Sequence, residues 1–257
     1  MNPDPLVVEI VPYHQDNYAY LAHCDQSGQT ALFDCGDAIP VLMTLKRKNW
    51  NLTHIFATHL HSDHTFGISE LVKHYPDSLF FKPADENRLS ESARELNDGD
   101  RVGLGNYSIR AIRVPAHTKN CTSYLVEDCL FVGDALFSAG CGRLFEGSAG
   151  DLMTAMDIFS ALPDNTKIYA GHEYTESNLQ FALHVEKDNR ELREYLDKVS
   201  YKRVKGGFTM PTSIGWEKWI NPFLRIDQES VWRSVDPGGN MDRIRRIAAL
   251  RHLKDRL

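Results

Sequence analysis

The sequence lacks the features that mark disulfide-bonded secreted proteins and membrane-spanning proteins. Its five cysteines are odd in number and none stand in C-x-x-C spacing, so neither a disulfide framework nor a cysteine-based zinc site is expected. No apolar run reaches the length that crosses a bilayer. Residues 1–5 show neither the basic start nor the apolar stretch of a signal peptide. We therefore expect a cytoplasmic protein in a reducing compartment, with no membrane partner.

An excess of positive charge is also missing. The chain has 29 Lys and Arg against 35 Asp and Glu, and this net charge of −6 disfavours a nucleic-acid partner. The apolar content of 42% and the charged content of 25% are typical of an ordinary soluble globular protein. A length of 257 residues suits one large domain or two modest ones, and it allows a sizeable core.

Short apolar runs and helix-like segments intermix through the first two-thirds of the chain, which favours an α/β or α+β architecture. Turn signals such as Asn97-Asp98-Gly99-Asp100 separate them. We predict strands at residues 6–11, 18–22, 30–33, 54–57, 79–81, 108–114, 123–126, 130–132 and 167–170. We predict helices at residues 38–48, 67–75 and 151–161.

Beyond Glu173 the pattern changes to long amphipathic helices. We predict helices over 175–184, 189–204 and 241–257, and an irregular connection over 206–222. This change predicts a domain boundary near Tyr174. The expected domains are residues 1–173 and a mainly helical domain of residues 174–257.

Three histidines and a carboxylate crowd the loop after the apolar run 54–57, at His59, His61, Asp63 and His64. Residues two apart in an extended backbone point to the same side, so His59 and His61 should lie together. Neutral imidazole and carboxylate are the ligands that borderline divalent metals prefer. A loop that is histidine-rich by chance is the alternative, and four such ligands packed this closely argue against it.

Three more polar residues follow apolar strands, namely His117, Asp134 and His172. Each alone is more often a capping or turn residue. Together with the loop they make five histidines and two aspartates. That set is large enough for two metal ions with open positions for water and substrate.

This ordered set resembles the metallo-β-lactamase fold hydrolases, whose fold is a four-layer αββα sandwich. The resemblance is carried by His59-x-His61-x-Asp63-His64, His117, Asp134, His172 and the early strand-end residue Asp34. It implies that one metal ion is held by His59, His61 and His117. It implies that the other is held by Asp63, His64 and His172, with Asp134 as the bridge. Asp63 and Asp134 would serve catalysis, and Asp34 would orient ligand histidines.

Within those hydrolases, the segments 140–147, 171–175 and 221–225 and the helical C-terminal region resemble the glyoxalase II (hydroxyacylglutathione hydrolase) family. The resemblance implies hydrolysis of glutathione thioesters such as S-D-lactoylglutathione to glutathione and a 2-hydroxy acid (D-lactate). This is the second step of methylglyoxal detoxification. Some members carry Lys and Tyr where this chain has Arg143 and Phe145, and Phe145 cannot supply a hydroxyl.

The C-terminal helix carries many cations, and Arg251 and Lys254 share a face because they are three apart. A solvated amphipathic helix accounts for most of these charges. In the family, the matching pair binds the glycine carboxylate of glutathione, which Arg contacts through two donors and Lys as a point charge. Arg143 and Tyr174, with Phe145 beside them, would complete the substrate pocket.

The expected chemistry is metal-assisted thioester hydrolysis with two divalent ions, zinc preferred and iron or manganese as alternatives. Four rivals stay open. A persulfide dioxygenase with one iron would use fewer ligands, and a β-lactamase often uses a cysteine ligand. A nuclease of the same fold would want a basic surface, and a non-catalytic metal-binding scaffold would lack part of the ligand set. We expect a glutathione thioester as the partner and a monomeric chain.

Overall fold

A computed structural model of the chain describes residues 6–90 and 92–257 and divides it into two compact units. Unit 1 comprises the residues up to Arg113 together with Asn120–Gly133. Unit 2 comprises Val114–Lys119 and Asp134–Leu257. Across the described ranges, no helix is both long and apolar enough to cross a membrane.

Unit 1 contains a mixed six-stranded sheet whose strands lie in chain order. They are β1 (Val7–Tyr13), β2 (Asn17–Cys24), β3 (Gln29–Phe33), β4 (Asn51–Phe56), β5 (Leu79–Pro83) and β6 (Arg94–Leu96). The first two pairings are antiparallel and the other three are parallel. Because parallel strands end at the same edge of a sheet, Asp34 after β3 and the loop after β4 come together there.

Three helices of unit 1 follow strands of this sheet, namely α1 (Ala38–Lys48), α2 (Ser62–Thr65) and α3 (Ile68–His74). The Asp37 side chain caps α1 by accepting a hydrogen bond from the Ile39 N–H at 2.9 Å, which satisfies a donor that the first turn leaves unpaired. Val41 of α1 and Leu71 of α3 are fully buried and belong to the same apolar cluster as Leu21 of β2. Burial of these apolar faces therefore holds the helices on the sheet.

Four strands of a second sheet also lie in unit 1. They are β7 (Arg101–Leu104), β8 (Tyr107–Arg113), β9 (Thr122–Val126) and β10 (Cys129–Gly133), and consecutive strands pair antiparallel. Phe33 of β3 stacks on Phe131 of β10 with ring centroids 3.8 Å apart, so the two sheets face each other across an aromatic core. The Tyr124 hydroxyl crosses the same layer and donates to the Ala57 carbonyl at 2.8 Å.

Unit 2 is mainly helical. Its elements are α4 (Ala149–Ser160), β11 (Lys167–Ala170), α5 (Thr175–Val185), α6 (Arg190–Val204), β12 (Thr212–Ser213), α7 (Ile214–Ile220), α8 (Glu229–Trp232) and α9 (Arg243–Asp255). Helices α5 and α6 pack through Leu179, Ala182, Leu192 and Val199, and Ile220 of α7 joins the same cluster. The strands β11 and β12 pair antiparallel.

The predicted two-sheet α/β architecture with a helical C-terminal region is confirmed, and helix 38–48 begins and ends where it was predicted. The irregular connection predicted over 206–222 is wrong, because it contains β12 and α7. Helix α7 has only seven residues, too few for an apolar period to stand out, and Gly215 lies in its first turn. Its start is set by Ser213, whose side chain accepts from the Trp216 N–H at 3.2 Å. The three- and four-residue strands β6 and β7 were not predicted either.

Candidate metal centre

Asp34 organises the His-rich loop of unit 1. One carboxylate oxygen accepts from the Thr58 N–H at 2.7 Å, and the other accepts from the Thr58 hydroxyl at 2.8 Å. The second oxygen also accepts from Nδ1 of His64 at 2.9 Å. Asp34 is buried and has φ = +58°, a left-handed conformation that aspartate tolerates better than most residues. The Asp34 carboxylate, which follows β3, thus accepts hydrogen bonds both from Thr58 after β4 and from the predicted metal ligand His64.

The hydrogen bond to Asp34 determines which ring nitrogen of His64 is available to bind a metal ion. A carboxylate only accepts at this position, so Nδ1 carries the proton and Nε2 of the neutral ring keeps its lone pair. Nε2 lies 3.6 Å from Oδ2 of Asp63. The His64 side chain is fully buried whereas the Asp63 side chain is 41% exposed, and a cation bound between these two acceptor atoms would satisfy both.

Asp63 is held by the β1–β2 hairpin. The Asn17 side-chain amide donates to its Oδ2 at 3.1 Å, and the Tyr13 hydroxyl donates to its backbone carbonyl at 2.7 Å. Burial, with the nearby Asp34 charge, raises the pKa of Tyr13 and keeps the hydroxyl a donor. Neither residue was predicted, because Asn17 and Asp63 are 46 positions apart in the chain and no local pattern links them.

His59 and His61 lie against each other, as their extended spacing predicts. His59 Nε2 is 3.1 Å from His61 Nδ1, and His59 Nδ1 is 2.9 Å from the Thr58 hydroxyl. His59 is buried, whereas His61 is half-buried. Asp34, His59 and His64 each bring one ligand-type atom within 4.8 Å of the others. This part of unit 1 therefore concentrates imidazole and carboxylate groups in a volume that suits a divalent cation.

Unit 2 brings its three predicted ligands together around one carboxylate oxygen. Oδ2 of Asp134 lies 3.6 Å from Nε2 of His117 and 3.4 Å from Nε2 of His172. His117 Nδ1 lies 2.8 Å from the Arg143 carbonyl oxygen, which only accepts, so Nδ1 carries the proton. Nε2 of His117 then faces the carboxylate with a lone pair. As at His64, the donor set fits a bound cation.

Gly142 lets the backbone approach these ligands closely. A Cβ at this position would lie 2.1 Å from the Asp134 carbonyl oxygen and 2.9 Å from Nδ1 of His117. Any larger residue would therefore displace one predicted ligand or the other.

The predicted substrate residues Phe145, Tyr174 and Arg143 surround this group. The Phe145 ring meets His117 edge-on at 5.2 Å and is 63% exposed, so a large apolar face is open to solvent. The Tyr174 ring stacks on His172 at 4.7 Å. Arg143 is exposed, with Nε 3.9 Å from a carboxylate oxygen of Asp255. The two rings limit the movement of the imidazoles they touch.

Arg251 and Lys254 both lie on α9, in different surroundings. Arg251 is only 4% exposed, and it donates to the Cys141 carbonyl at 2.9 Å and to Asp255 at 3.0 Å. Lys254 donates to the side-chain oxygen of Asn178. Burial lowers the pKa of Lys254 to about 8, with the Arg251 charge adding to that effect. The partners Asn178 and Asp255 were not predicted.

Although burial opposes the change, hydrogen bonds with Ser27 lower the pKa of Cys24, whereas Cys35 and Cys141 show no sign of an activated thiolate. All five cysteines are buried and free. Burial raises the pKa of Cys35, and the charges of Asp37 and Asp34 add to the rise. Burial also raises the pKa of Cys141, although the Arg251 charge opposes it. The Cys35 and Cys141 thiols therefore stay protonated near neutral pH, as structural cysteines do.

Comparison with known proteins places this chain in a family. Residues 15–172 match the model of the Metallo-beta-lactamase superfamily, and residues 173–257 match the Hydroxyacylglutathione hydrolase C-terminus. Over 251 residues the chain is 42% identical to the hydroxyacylglutathione hydrolase of Photobacterium profundum, covering 97% of this chain and 99% of that protein. The hydroxyacylglutathione hydrolase of Aliivibrio salmonicida is 41% identical with the same coverage.

A solved structure shares this fold. The crystal structure of ETHE1 from Myxococcus xanthus aligns with a TM-score of 0.65 at 25% identity, over 96% of this chain and 98% of that one. The fold, the family models and the relatives thus define an enzyme of the metallo-β-lactamase superfamily. Within that superfamily, the chain belongs to the hydroxyacylglutathione hydrolase family.

Proposed function

We propose that this protein hydrolyses glutathione thioesters such as S-D-lactoylglutathione to glutathione and a 2-hydroxy acid. The observation that carries the proposal is the similarity to curated hydroxyacylglutathione hydrolases over 97% of the chain, including the C-terminal family match at residues 173–257. We infer that the chain works as a monomer in the cytoplasm. We also infer a catalytic domain of residues 1–173 and a substrate-binding domain of residues 174–257.

We further propose a centre for two divalent ions. One ion would be held by His59, His61 and His117, the second by Asp63, His64 and His172, and Asp134 would bridge them. Zinc suits this nitrogen and oxygen ligand set, and iron or manganese suit it as well. When bound, the two ions supply Lewis-acid chemistry, since they lower the pKa of water and stabilise negative charge on the substrate carbonyl oxygen.

The chain's own groups orient that chemistry. Water adds to the thioester carbonyl carbon, the carbon–sulfur bond breaks, and glutathione leaves as a thiolate, which needs little help from an acid. We infer that the Asp63 carboxylate, to which the Asn17 amide donates a hydrogen bond, accepts the water's proton. Asp34 and the Arg143 carbonyl hold the Nδ1 protons of His64 and His117, so that each Nε2 stays a ligand.

The cationic side chains of unit 2 are the basis for the proposed substrate contacts. We infer that Arg251 and Lys254 bind a carboxylate of glutathione, and that Arg143, Phe145 and Tyr174 contact the substrate nearer the thioester. The buried position of Arg251 and its ion pair with Asp255 fix the direction of its guanidinium. A preoriented cation loses little entropy on binding an anion.

Parallel assays test the proposed function. The purified protein is given S-D-lactoylglutathione and a β-lactam side by side, and its metal content is measured on the same sample. We expect thioester hydrolysis, no β-lactam turnover and two divalent ions per chain. Turnover of the β-lactam alone, or thioester hydrolysis that survives complete metal removal, would contradict the proposal. The Asp134→Asn variant is the matched control, because it keeps the side-chain shape and removes the charge.

A further inference from the structure

Glu217 of α7 is fully buried and does not belong to the proposed ligand or substrate residues. Its Oε1 accepts hydrogen bonds from two hydroxyls, Ser138 Oγ at 2.8 Å and Thr212 Oγ1 at 2.7 Å. Its Oε2 accepts from two N–H groups, the Ala139 amide at 2.7 Å and the Asn221 side chain at 3.2 Å. A buried carboxylate with four donors is well satisfied, and it fixes whatever carries those donors.

Two of the four donors belong to one tight turn, Phe137–Gly140, which we call the anchored turn. Phe137 and Gly140 exchange two backbone hydrogen bonds of 3.0 and 3.1 Å. The Asn221 amide that donates to Glu217 also donates to both of their carbonyls, at 3.1 and 2.9 Å. Ala139 has φ = +56°, a conformation that costs a non-glycine residue free energy. Glu217 and Asn221 therefore hold a buried turn that would not keep this shape by itself.

The chain that leaves the anchored turn touches the predicted ligands directly. Two residues after Gly140, the backbone of Gly142 packs against the Asp134 carbonyl and the His117 ring. At the next residue, the Arg143 carbonyl accepts the Nδ1 proton of His117 at 2.8 Å. The anchored turn therefore lies in the segment of chain that runs from Asp134 to Arg143. A shift of the turn would therefore move the hydrogen-bond partner that selects the His117 tautomer.

We propose that Glu217 is a positioning residue of this enzyme, which fixes the anchored turn so that Gly142 and the Arg143 carbonyl hold His117 and Asp134 in their ligand orientation. This inference rests on the proposed metal-binding roles of His117 and Asp134. Its action passes through the turn, because Glu217 itself touches neither of them in its four hydrogen bonds.

Glu217 accepts from hydroxyls on one oxygen and from N–H groups on the other, so a glutamine at this position can keep all four hydrogen bonds. In Glu217→Gln, the amide oxygen can replace Oε2 and accept from the Ala139 and Asn221 N–H groups. The amide NH2 can replace Oε1 and donate to the Ser138 and Thr212 hydroxyls, since a hydroxyl either donates or accepts. Glu217→Leu has a similar volume and no polar atom, so it leaves all four donors without their acceptor.

The test compares metal-loaded wild type, Glu217→Gln and Glu217→Leu for zinc affinity against a competing chelator, kcat, KM and Tm. We expect Glu217→Leu to lose about tenfold to 100-fold in zinc affinity or kcat, as loss of ligand orientation does elsewhere, with KM nearly unchanged. Glu217→Gln should stay within about threefold of wild type, since its hydrogen bonds can be remade. Wild-type zinc affinity and kcat in Glu217→Leu would overturn the proposal.

Two further variants keep the outcome decisive. Val231→Ala removes apolar volume from a fully buried position of α8 and serves as the stability control. If Val231→Ala lost zinc affinity as strongly as Glu217→Leu at the same Tm, the effect would be general destabilisation and the proposal would fail. If Glu217→Leu does not fold, Ser138→Ala decides, because it removes a hydroxyl of the anchored turn that donates to Glu217; unchanged zinc affinity would overturn the proposal. Zinc affinity needs no substrate, so a wrong substrate assignment would leave this ranking intact.

Discussion

The Glu217 carboxyl should make the stability of this protein fall with rising pH. Burial raises the pKa of Glu217 from 4.5 to about 7, although the four hydrogen bonds oppose the rise. The folded chain therefore keeps this proton up to about pH 7, whereas the unfolded chain releases it near pH 4.5. Between these values the folded state binds more protons, so the free energy of unfolding decreases as pH rises. Above about pH 7 the loss is complete.

The size of the loss follows from the two pKa values. A tenfold difference in proton affinity between folded and unfolded chain is worth about 1.4 kcal/mol, so a rise from 4.5 to about 7 corresponds to about 3 kcal/mol. Glu217→Gln does not titrate. The free energy of unfolding of wild type relative to Glu217→Gln should therefore fall by about 2–3 kcal/mol between pH 5 and pH 8. All other titrating groups are shared and cancel in the difference.

Urea denaturation of both metal-loaded proteins from pH 5 to pH 8 measures this difference. Asp151→Asn is a control of opposite sign. The backbone and side chain of Ser148 lower the pKa of Asp151, so its contribution to stability is present at neutral pH and lost as pH falls. Parallel profiles for wild type and Glu217→Gln would refute the reasoning. So would a relative gain for wild type with rising pH, because it would mean that the hydrogen bonds outweigh burial.

The other predictions concern the proposed centre and its substrate contacts. Asp134→Ala should lose metal and activity together, measured by metal analysis and thioester assay, and full occupancy with normal turnover would contradict the bridging role. Asp34→Asn should lower zinc affinity by about tenfold or more, because the carboxylate that holds the Nδ1 proton of His64 is gone; chelator competition measures it. Arg251→Ala should raise KM by about tenfold or more with a smaller change in kcat, and a fall in kcat alone would exclude the carboxylate contact. KM for the anionic thioester should rise above about pH 8, where Lys254 loses its charge, and Lys254→Met should abolish that rise.

Most of the fold could be predicted because its signals are local. The helix Ala38–Lys48 shows both an N-cap aspartate and a cluster of basic residues in its last turn, so both its ends are visible in the sequence. Within β2, whose residues are all buried, residues 18–22 form a continuous apolar run that is visible in the sequence. The contact between His59 and His61 could also be predicted from a local signal, because side chains two residues apart on an extended backbone point to the same side.

The supporting contacts of the site could not be predicted, because they join distant parts of the chain. Glu217 contacts Ser138 across 79 positions, and α7, which carries it, has too few residues to show a period. Asn17 is similarly remote from Asp63. On α9 the sequence singled out Arg251 and Lys254 among many cations as substrate contacts, but it did not show that Arg251 is buried against the carbonyl of Cys141. Which cation of such a helix is buried depends on tertiary packing, which the local sequence does not show.

His64 and His117 are oriented by two different kinds of hydrogen-bond acceptor, which differ in chemistry and in how visible they are in the sequence. Both rings give their Nδ1 proton to an acceptor and leave Nε2 as the ligand, but the acceptor is the Asp34 carboxylate at His64 and the neutral Arg143 carbonyl at His117. A carboxylate makes the imidazole more basic than a carbonyl does, so His64 should bind a cation more strongly. Its partner is a side chain at the end of the neighbouring strand, which a motif reveals. The partner of His117 is a backbone atom, whose position depends on the anchored turn and therefore on Glu217. A change at Arg143 that keeps the backbone would leave the His117 tautomer intact, whereas Glu217→Leu would not.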